Sequence, residues 1–126
     1  MAVRFVIIGG GPAGNQAATH AARLGAEVTL IERDIVGGAA HLWDCIPSKA
    51  MIATGGAMTF IGRATGMGLT HVTADLDFDA LKSRIAGIER RLEHSVRDLL
   101  ESQGVHLVQG TGRLLGPHEV LADTAD

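Results

Sequence analysis

Gly9, Gly11 and Gly14 stand at G-x-G-x-x-G spacing directly behind the apolar run Phe5-Val6-Ile7-Ile8, and that order of residues has a chemical use. Where a strand runs into such glycines and a helix follows, main-chain N–H groups are left bare, and a diphosphate can approach them with no Cβ in the way. Gly9 permits the tight turn, Gly11 admits the phosphates, and Gly14 lets the following helix lie close on the sheet. The positive end of that helix supplies anion affinity without a lysine. Pro12 fits near the helix start, where a missing N–H forfeits no intrahelical bond, and Ala13 completes the turn.

The motif is weak alone, so its second half matters. After a helix of roughly Ala13 to Leu24, closed by Gly25, the stretch Glu27-Val28-Thr29-Leu30-Ile31 reads as a second strand ending on Glu32. An acid in that place accepts hydrogen bonds from ribose hydroxyls and repels a 2′-phosphate, which favours FAD or NAD over NADP. Arg33, a cation next in the chain, tempers that choice and joins the candidate cofactor residues. The bland alternative for Glu32 is an ordinary charge at a strand end.

A second chemical segment follows in Gly37-Gly38-Ala39-Ala40-His41-Leu42-Trp43-Asp44-Cys45-Ile46-Pro47-Ser48-Lys49. The paired glycines give another backbone-permissive turn, and Pro47 marks a helix start with Cys45 just before it. A helix N-terminus favours a thiolate there, as does Lys49 four residues on, while Asp44 opposes it. A generic lone cysteine is a small buried hydrophobe. His71, His94, His106 and His118 have no ligand partners at metal-binding spacing, and no metal is expected.

The elements that must position these residues are legible from pattern. The first helix carries Ala17, Ala18, Ala21 and Ala22, small residues that allow close approach to a sheet, and His20 within it reads as a partly exposed polar position. From Ile46 to about Arg63 the chain reads as a helix weakened by Gly55, Gly56 and Gly62. A loop then runs from Gly66-Met67-Gly68 to Asp77, with Leu69 to Thr73 extended. The longest periodic element spans about Phe78 to Gln103, with Leu81, Ile85, Ile88, Leu92, Val96 and Leu99 as its stripe, Asp77 as N-cap and Gly104 as stop. The tail is β-like: a strand at Val105 to Val108, a turn at Gly110-Thr111-Gly112, and short strands at Arg113 to Leu115 and Glu119 to Leu121.

At 126 residues and 13.1 kDa the chain is one domain, long enough to bury roughly two-thirds of its unfolded surface. A net charge of −3, a pI near 6.0 and 3% aromatic residues argue against nucleic-acid binding, which needs a basic face or stacking rings. A single cysteine excludes an intrachain disulfide and suits a reducing compartment. No stretch has the length of a membrane span, and the start lacks a secretory apolar region with its cleavage site. A cytoplasmic location is expected.

Taken together, the IIGGGPAG turn, the strand ending in Glu32 and the GGAAHLWDCIPSK segment resemble the flavoprotein disulfide reductase family, of the dihydrolipoamide-dehydrogenase-like kind. The resemblance covers essentially the whole chain. It implies an α/β, Rossmann-like FAD/NAD(P)-binding fold: a central parallel sheet, a long second helical layer and a small C-terminal β-meander. It further implies that residues 1–126 are a truncated N-terminal FAD-binding domain, with the nicotinamide-binding and interface domains of a homodimer absent. The FAD pyrophosphate would lie on Gly9, Gly11, Pro12, Ala13 and Gly14, its ribose on Glu32, and further phosphate contacts on Gly37, Gly38 and Ala39. Lys49 matches a lysine beside the flavin, Gly112 a glycine approaching the adenine side, and Cys45 the flavin-proximal redox cysteine.

One departure is as informative as the match. The family segment has the form GG-x-C-x-x-x-x-C-x-P-S-K, and this chain has Ala40 at the first cysteine. A dithiol cannot form, so a relay through one is closed. The Ala-plus-Cys pattern is similar to that of NAD(P)H quinone reductases, in which NAD(P)H is the donor and a quinone the acceptor; a flavin suits that exchange because it takes a hydride and gives up electrons singly or in pairs. Two other readings stand beside this one: a disulfide reductase working through Cys45 alone, and a non-catalytic dinucleotide-binding module. Trp43 shields the flavin or anchors the loop.

Overall fold

The computed structural model describes residues 2–70 and 72–125. Strand β1 (Arg4–Ile8), helix α1 (Pro12–Arg23) and strand β2 (Glu27–Glu32) open the chain. A six-residue π-helical segment, Ala40–Cys45, leads directly into α2 (Ile46–Arg63), which ends in a 3₁₀ turn at Ala64–Met67. Helix α3 (Phe78–Ser102), strand β3 (His106–Gln109) and a hairpin of β4 (Thr111–Gly116) and β5 (Glu119–Asp123) complete it. The first three boundaries follow the sequence reading to within a residue. His71, set aside above as lacking ligand partners, lies outside the described residues, and those around it from Leu69 to Thr73 form no strand.

β1, β2 and β3 form a parallel sheet in the order β1-β2-β3, with Ile7 opposite Leu30 and Leu30 opposite Leu107. Parallel neighbours need crossovers. α1 makes the first, packing against β1 and β2, and the second contains α3, which reaches β3. Ala18 of α1 and Leu100 of α3 meet Val28 and Leu30 of β2 in one buried cluster with Val36 and Val105. The alanines of α1 do what their size allows: Ala21 and Ala22 pack on that cluster. On the other face Ile31, 3% exposed, is covered by the hairpin, whose Gly112 sits against Ile8 and Ile31. β1 carries apolar residues toward both faces, yet Phe5, Val6 and Ile8 remain about half exposed.

Three local expectations need correction. The buried end of the α3 stripe is Leu100, with no exposed surface, whereas Leu99 is half exposed; between two adjacent leucines the period alone does not choose. The turn expected over Gly110 to Gly112 narrows to Gly110, because Thr111 and Gly112 already pair with Asp123 and Ala122 in the hairpin. Cys45 directly precedes α2 as expected, but it also ends the π-helical segment Ala40–Cys45, so it does not stand at the start of the helical path. The helical path begins one turn earlier, where Gly38 O accepts from both His41 N and Leu42 N, and the Ile46 N–H donates to His41 O.

The α3 cap tests the local reading. Asp77 Oδ1 accepts from Ala80 N at 2.9 Å, and Asp77→Ala is expected to cost about 1 kcal/mol. In a thermal melt that is a fall of about 4 °C; an unchanged Tm would contradict the assignment.

Candidate functional site

The carboxyl ends of β1 and β2 open into a cleft of about 440 Å³, in the range of small-ligand sites and where open α/β sheets place them. Its floor is Ile8 and Ile31, and its walls are the Gly9–Pro12 loop, the segment from Glu32 to Ala40, and Gly110 to Gly112 at the hairpin entry. Gly9 has φ +104°, which favours glycine, and its N–H donates to Ile31 O at 2.8 Å, so the chain turns at the sheet edge. α1 then starts on Gly11 with Pro12 in its first turn and no side chain capping it. Its leading N–H groups are thereby left for water or a ligand.

Two glycines permit close backbone approach. A Cβ built on Gly14 would collide with the carbonyl oxygen of Gly9, so the first turn of α1 rests directly on the end of β1. A Cβ on Gly38, itself at φ +91°, would stand 2.9 Å from Gly11 Cα. The two glycine loops therefore touch backbone to backbone, and Gly37 N donates to Gly10 O at 2.8 Å across the same seam. The result is a cradle walled largely by main chain, with the Pro12 ring beside Gly38 at the seam.

Glu32 turns its carboxylate into this cradle. Oε2 accepts from Gly10 N at 2.6 Å and Oε1 from Asp34 N at 2.7 Å. A carboxylate has about four acceptor positions, so two bonds to the protein leave capacity for the hydroxyls of a sugar in the cleft. Arg33 points along the same wall and pairs with Asp34 at 3.1 Å, both largely exposed; such a pair contributes little to stability.

Of the candidate cofactor residues, Gly9, Gly11, Pro12, Glu32, Arg33, Gly38, Ala39 and Gly112 line the cleft. Ala13 and Gly14, in the first turn of α1, and the buried Gly37 are outside its lining. Lys49 and Cys45 are exposed on the helical segment that leaves the cleft at Ala40, and they are outside its lining. Cys45 is a free thiol whose carbonyl accepts from Ser48 Oγ at 3.1 Å. Among the described residues no three His, Cys, Asp or Glu side chains gather as a metal site would require.

Sequence reasoning missed Gly10, Asp34, Gln109 and Thr111. Gly10 carried a signal, standing between two motif glycines; a Cβ there would meet Glu32 Cβ at 3.1 Å. Asp34 enters through a local bond to Glu32 two residues back, while Gln109 and Thr111 are brought there by strand pairing. A second concavity of about 560 Å³ lies at the opposite end of β1, between Phe5, Ala17, His20 and Leu24. It is apolar and holds none of the candidate residues.

The family model for pyridine nucleotide-disulphide oxidoreductases matches residues 3–126. Among curated proteins the chain is similar to a dihydrolipoyl dehydrogenase of Zymomonas mobilis, 34% identical over 97% of this chain and 26% of that one. It is also similar to an NAD(P)H dehydrogenase (quinone) of Mycobacterium tuberculosis, 38% identical over 100% of this chain and 28% of that one. The fold is similar to the crystal structure of LpdA from Mycobacterium tuberculosis, with a TM-score of 0.84 and 32% identity over 98% of this chain and 28% of that one. The chain thus spans about a quarter of the length of these relatives. It belongs to the pyridine nucleotide-disulphide oxidoreductase family, flavoproteins that use FAD and NAD(P)H.

Proposed function

We propose that residues 1–126 form the FAD-binding part of a flavoprotein that takes reducing equivalents from NAD(P)H and delivers them to a quinone. The observation that carries the choice of acceptor is Ala40. It occupies the first cysteine position of the redox segment, and Cys45 is the sole cysteine of the chain. A dithiol shuttle is thereby closed, and the similarity to an NAD(P)H dehydrogenase (quinone) over the whole chain agrees.

When bound, the flavin supplies the exchange between two-electron and one-electron chemistry. The residues present fit its adenosine diphosphate half. The bare first turn of α1 and the Gly11–Gly38 seam would hold the diphosphate, and Glu32, with acceptor capacity left, would hold a ribose. Lys49 and Cys45, on the helix that runs out from Ala40, are assigned to the flavin end.

The half-exposed apolar residues of β1, together with Ile52 and Phe60 standing exposed on α2, fit a domain that packs against further chain. Nicotinamide-binding and interface domains, a homodimer and a cytoplasmic setting complete the proposal. No helix among the described residues is long and apolar enough to cross a membrane.

Acceptor assays on the natural full chain test the reading. NAD(P)H should be oxidised rapidly with a quinone and not with lipoamide or glutathione disulfide. Cys45→Ser separates the competing thiol mechanism: quinone reduction should change by less than about twofold, under about 0.4 kcal/mol in activation free energy. Fast disulfide reduction that disappears in Cys45→Ser would overturn the proposal in favour of chemistry at the lone thiol.

A further inference from the structure

Behind the Arg33–Asp34 turn lies a hydrogen-bonded chain that neither the motif nor the family match explains. Gln109, the last residue of β3, stands opposite Glu32 in the parallel register. Its side chain is exposed, and Nε2 donates to Arg33 O at 2.8 Å and, at greater length, to Asp34 O at 3.3 Å. Oε1 accepts from Arg97 Nη2 at 3.2 Å, and Arg97 Nε in turn pairs with Glu93 Oε1 at 3.1 Å on α3. The backbone contributes a parallel tie, Gly110 N to Glu32 O at 2.9 Å. Asp34 N, in the turn so held, donates to the Glu32 carboxylate, which also receives Gly10 N.

We propose that Gln109 is a positioning residue for the nucleotide cleft: anchored by Arg97, it fixes the Arg33–Asp34 turn, and through it the Glu32 carboxylate that faces the ribose. The proposal rests on the reading of the cleft as the seat of an adenosine diphosphate moiety. The chemistry requires a side chain that both donates and accepts at this position, as an amide does. The two backbone carbonyls of the turn accept, so their partner must donate, while Arg97 donates, so its partner must accept. Only a side chain with both functions closes the chain. The Arg33–Asp34 turn lacks any other side-chain tie to α3 or β3 among the described hydrogen bonds. Loss of the amide donor therefore lets the turn shift without disturbing the buried cluster around Leu30 and Leu100.

Gln109→Glu separates positioning from stability. The variant keeps its length and its acceptor for Arg97, where it forms an ion pair, but it presents oxygen to two carbonyl oxygens and adds a negative charge near Glu32 and Asp34. On the natural full chain stripped of cofactor, ADP affinity measured by calorimetry is expected to fall about five- to tenfold, while Tm stays within about 2 °C of the parent. Arg97→Ala, which removes the anchor and leaves the donor, should give a smaller loss of the same sign, and it decides the matter if Gln109→Glu does not fold. Unchanged ADP affinity in a folded variant overturns the proposal, as does a loss of affinity that only tracks a large drop in Tm. A parent protein that fails to bind ADP removes the nucleotide reading itself, and this proposal with it.

Discussion

Gly14→Ala is expected to abolish tight nucleotide binding and to destabilise the fold by about 3 kcal/mol, the upper part of the range for overpacking. The new Cβ has no room because it would overlap the Gly9 carbonyl oxygen. A flexible side chain could swing aside, but this partner is backbone, held by the bond from Gly9 N to Ile31 O and by the positive φ of Gly9. Relief requires the first turn of α1 to lift from the end of β1. That motion carries the leading N–H groups away from the cleft and loosens Ala18 in the core. Urea unfolding and ADP titration read the two consequences separately. A Gly14→Ala variant with parental stability and affinity would show that the helix does not sit where the structure puts it.

Removing the Glu32 carboxylate has the second largest effect. In Glu32→Ala the N–H groups of Gly10 and Asp34 lose their acceptor, and bonds to a charged partner contribute about 1.5–3 kcal/mol each. Glu32 is half-buried, so water replaces part of that. A net loss of about 2 kcal/mol in folding stability is expected, which urea unfolding measures. ADP affinity is expected to fall at least about a hundredfold, since both the loop geometry and the acceptor for the ribose are lost. Glu32→Gln retains one acceptor oxygen but turns an NH₂ toward the other donor, so it should fall between the parent and Glu32→Ala. Equal affinities in all three proteins would separate Glu32 from the nucleotide altogether.

The parts of this site that could be read from the chain are those fixed by local chemistry. A strand must stop at Gly9-Gly10-Gly11 and a helix can start at Pro12, so β1, α1 and β2 fall within a residue of expectation. Asp77 and Gly104 bracket α3 for equally local reasons, the first accepting from Ala80 N and the second at φ +77°. The π-helical segment was not legible. It is defined by how the backbone closes a wide turn from Ala40 to Cys45, which no side-chain period reports, whereas α2 itself begins at Ile46 as expected. The bond from Gly10 to Glu32 joins residues 22 apart, and that from Gln109 to Arg33 joins residues 76 apart. The first exists only because β1 and β2 pair in one register, and the second only because β3 pairs with β2 in one register, both facts of tertiary packing.

The central claim is that main-chain amides at the start of α1 and the carboxylate of Glu32 together hold the diphosphate and ribose of a flavin dinucleotide. Denaturing the natural full chain and identifying the nucleotide released tests it most directly. The account predicts FAD at one equivalent per chain from the parent, with little or none retained by Gly14→Ala and Glu32→Ala. Release of NAD, or of FAD in equal amounts from all three proteins, would contradict it.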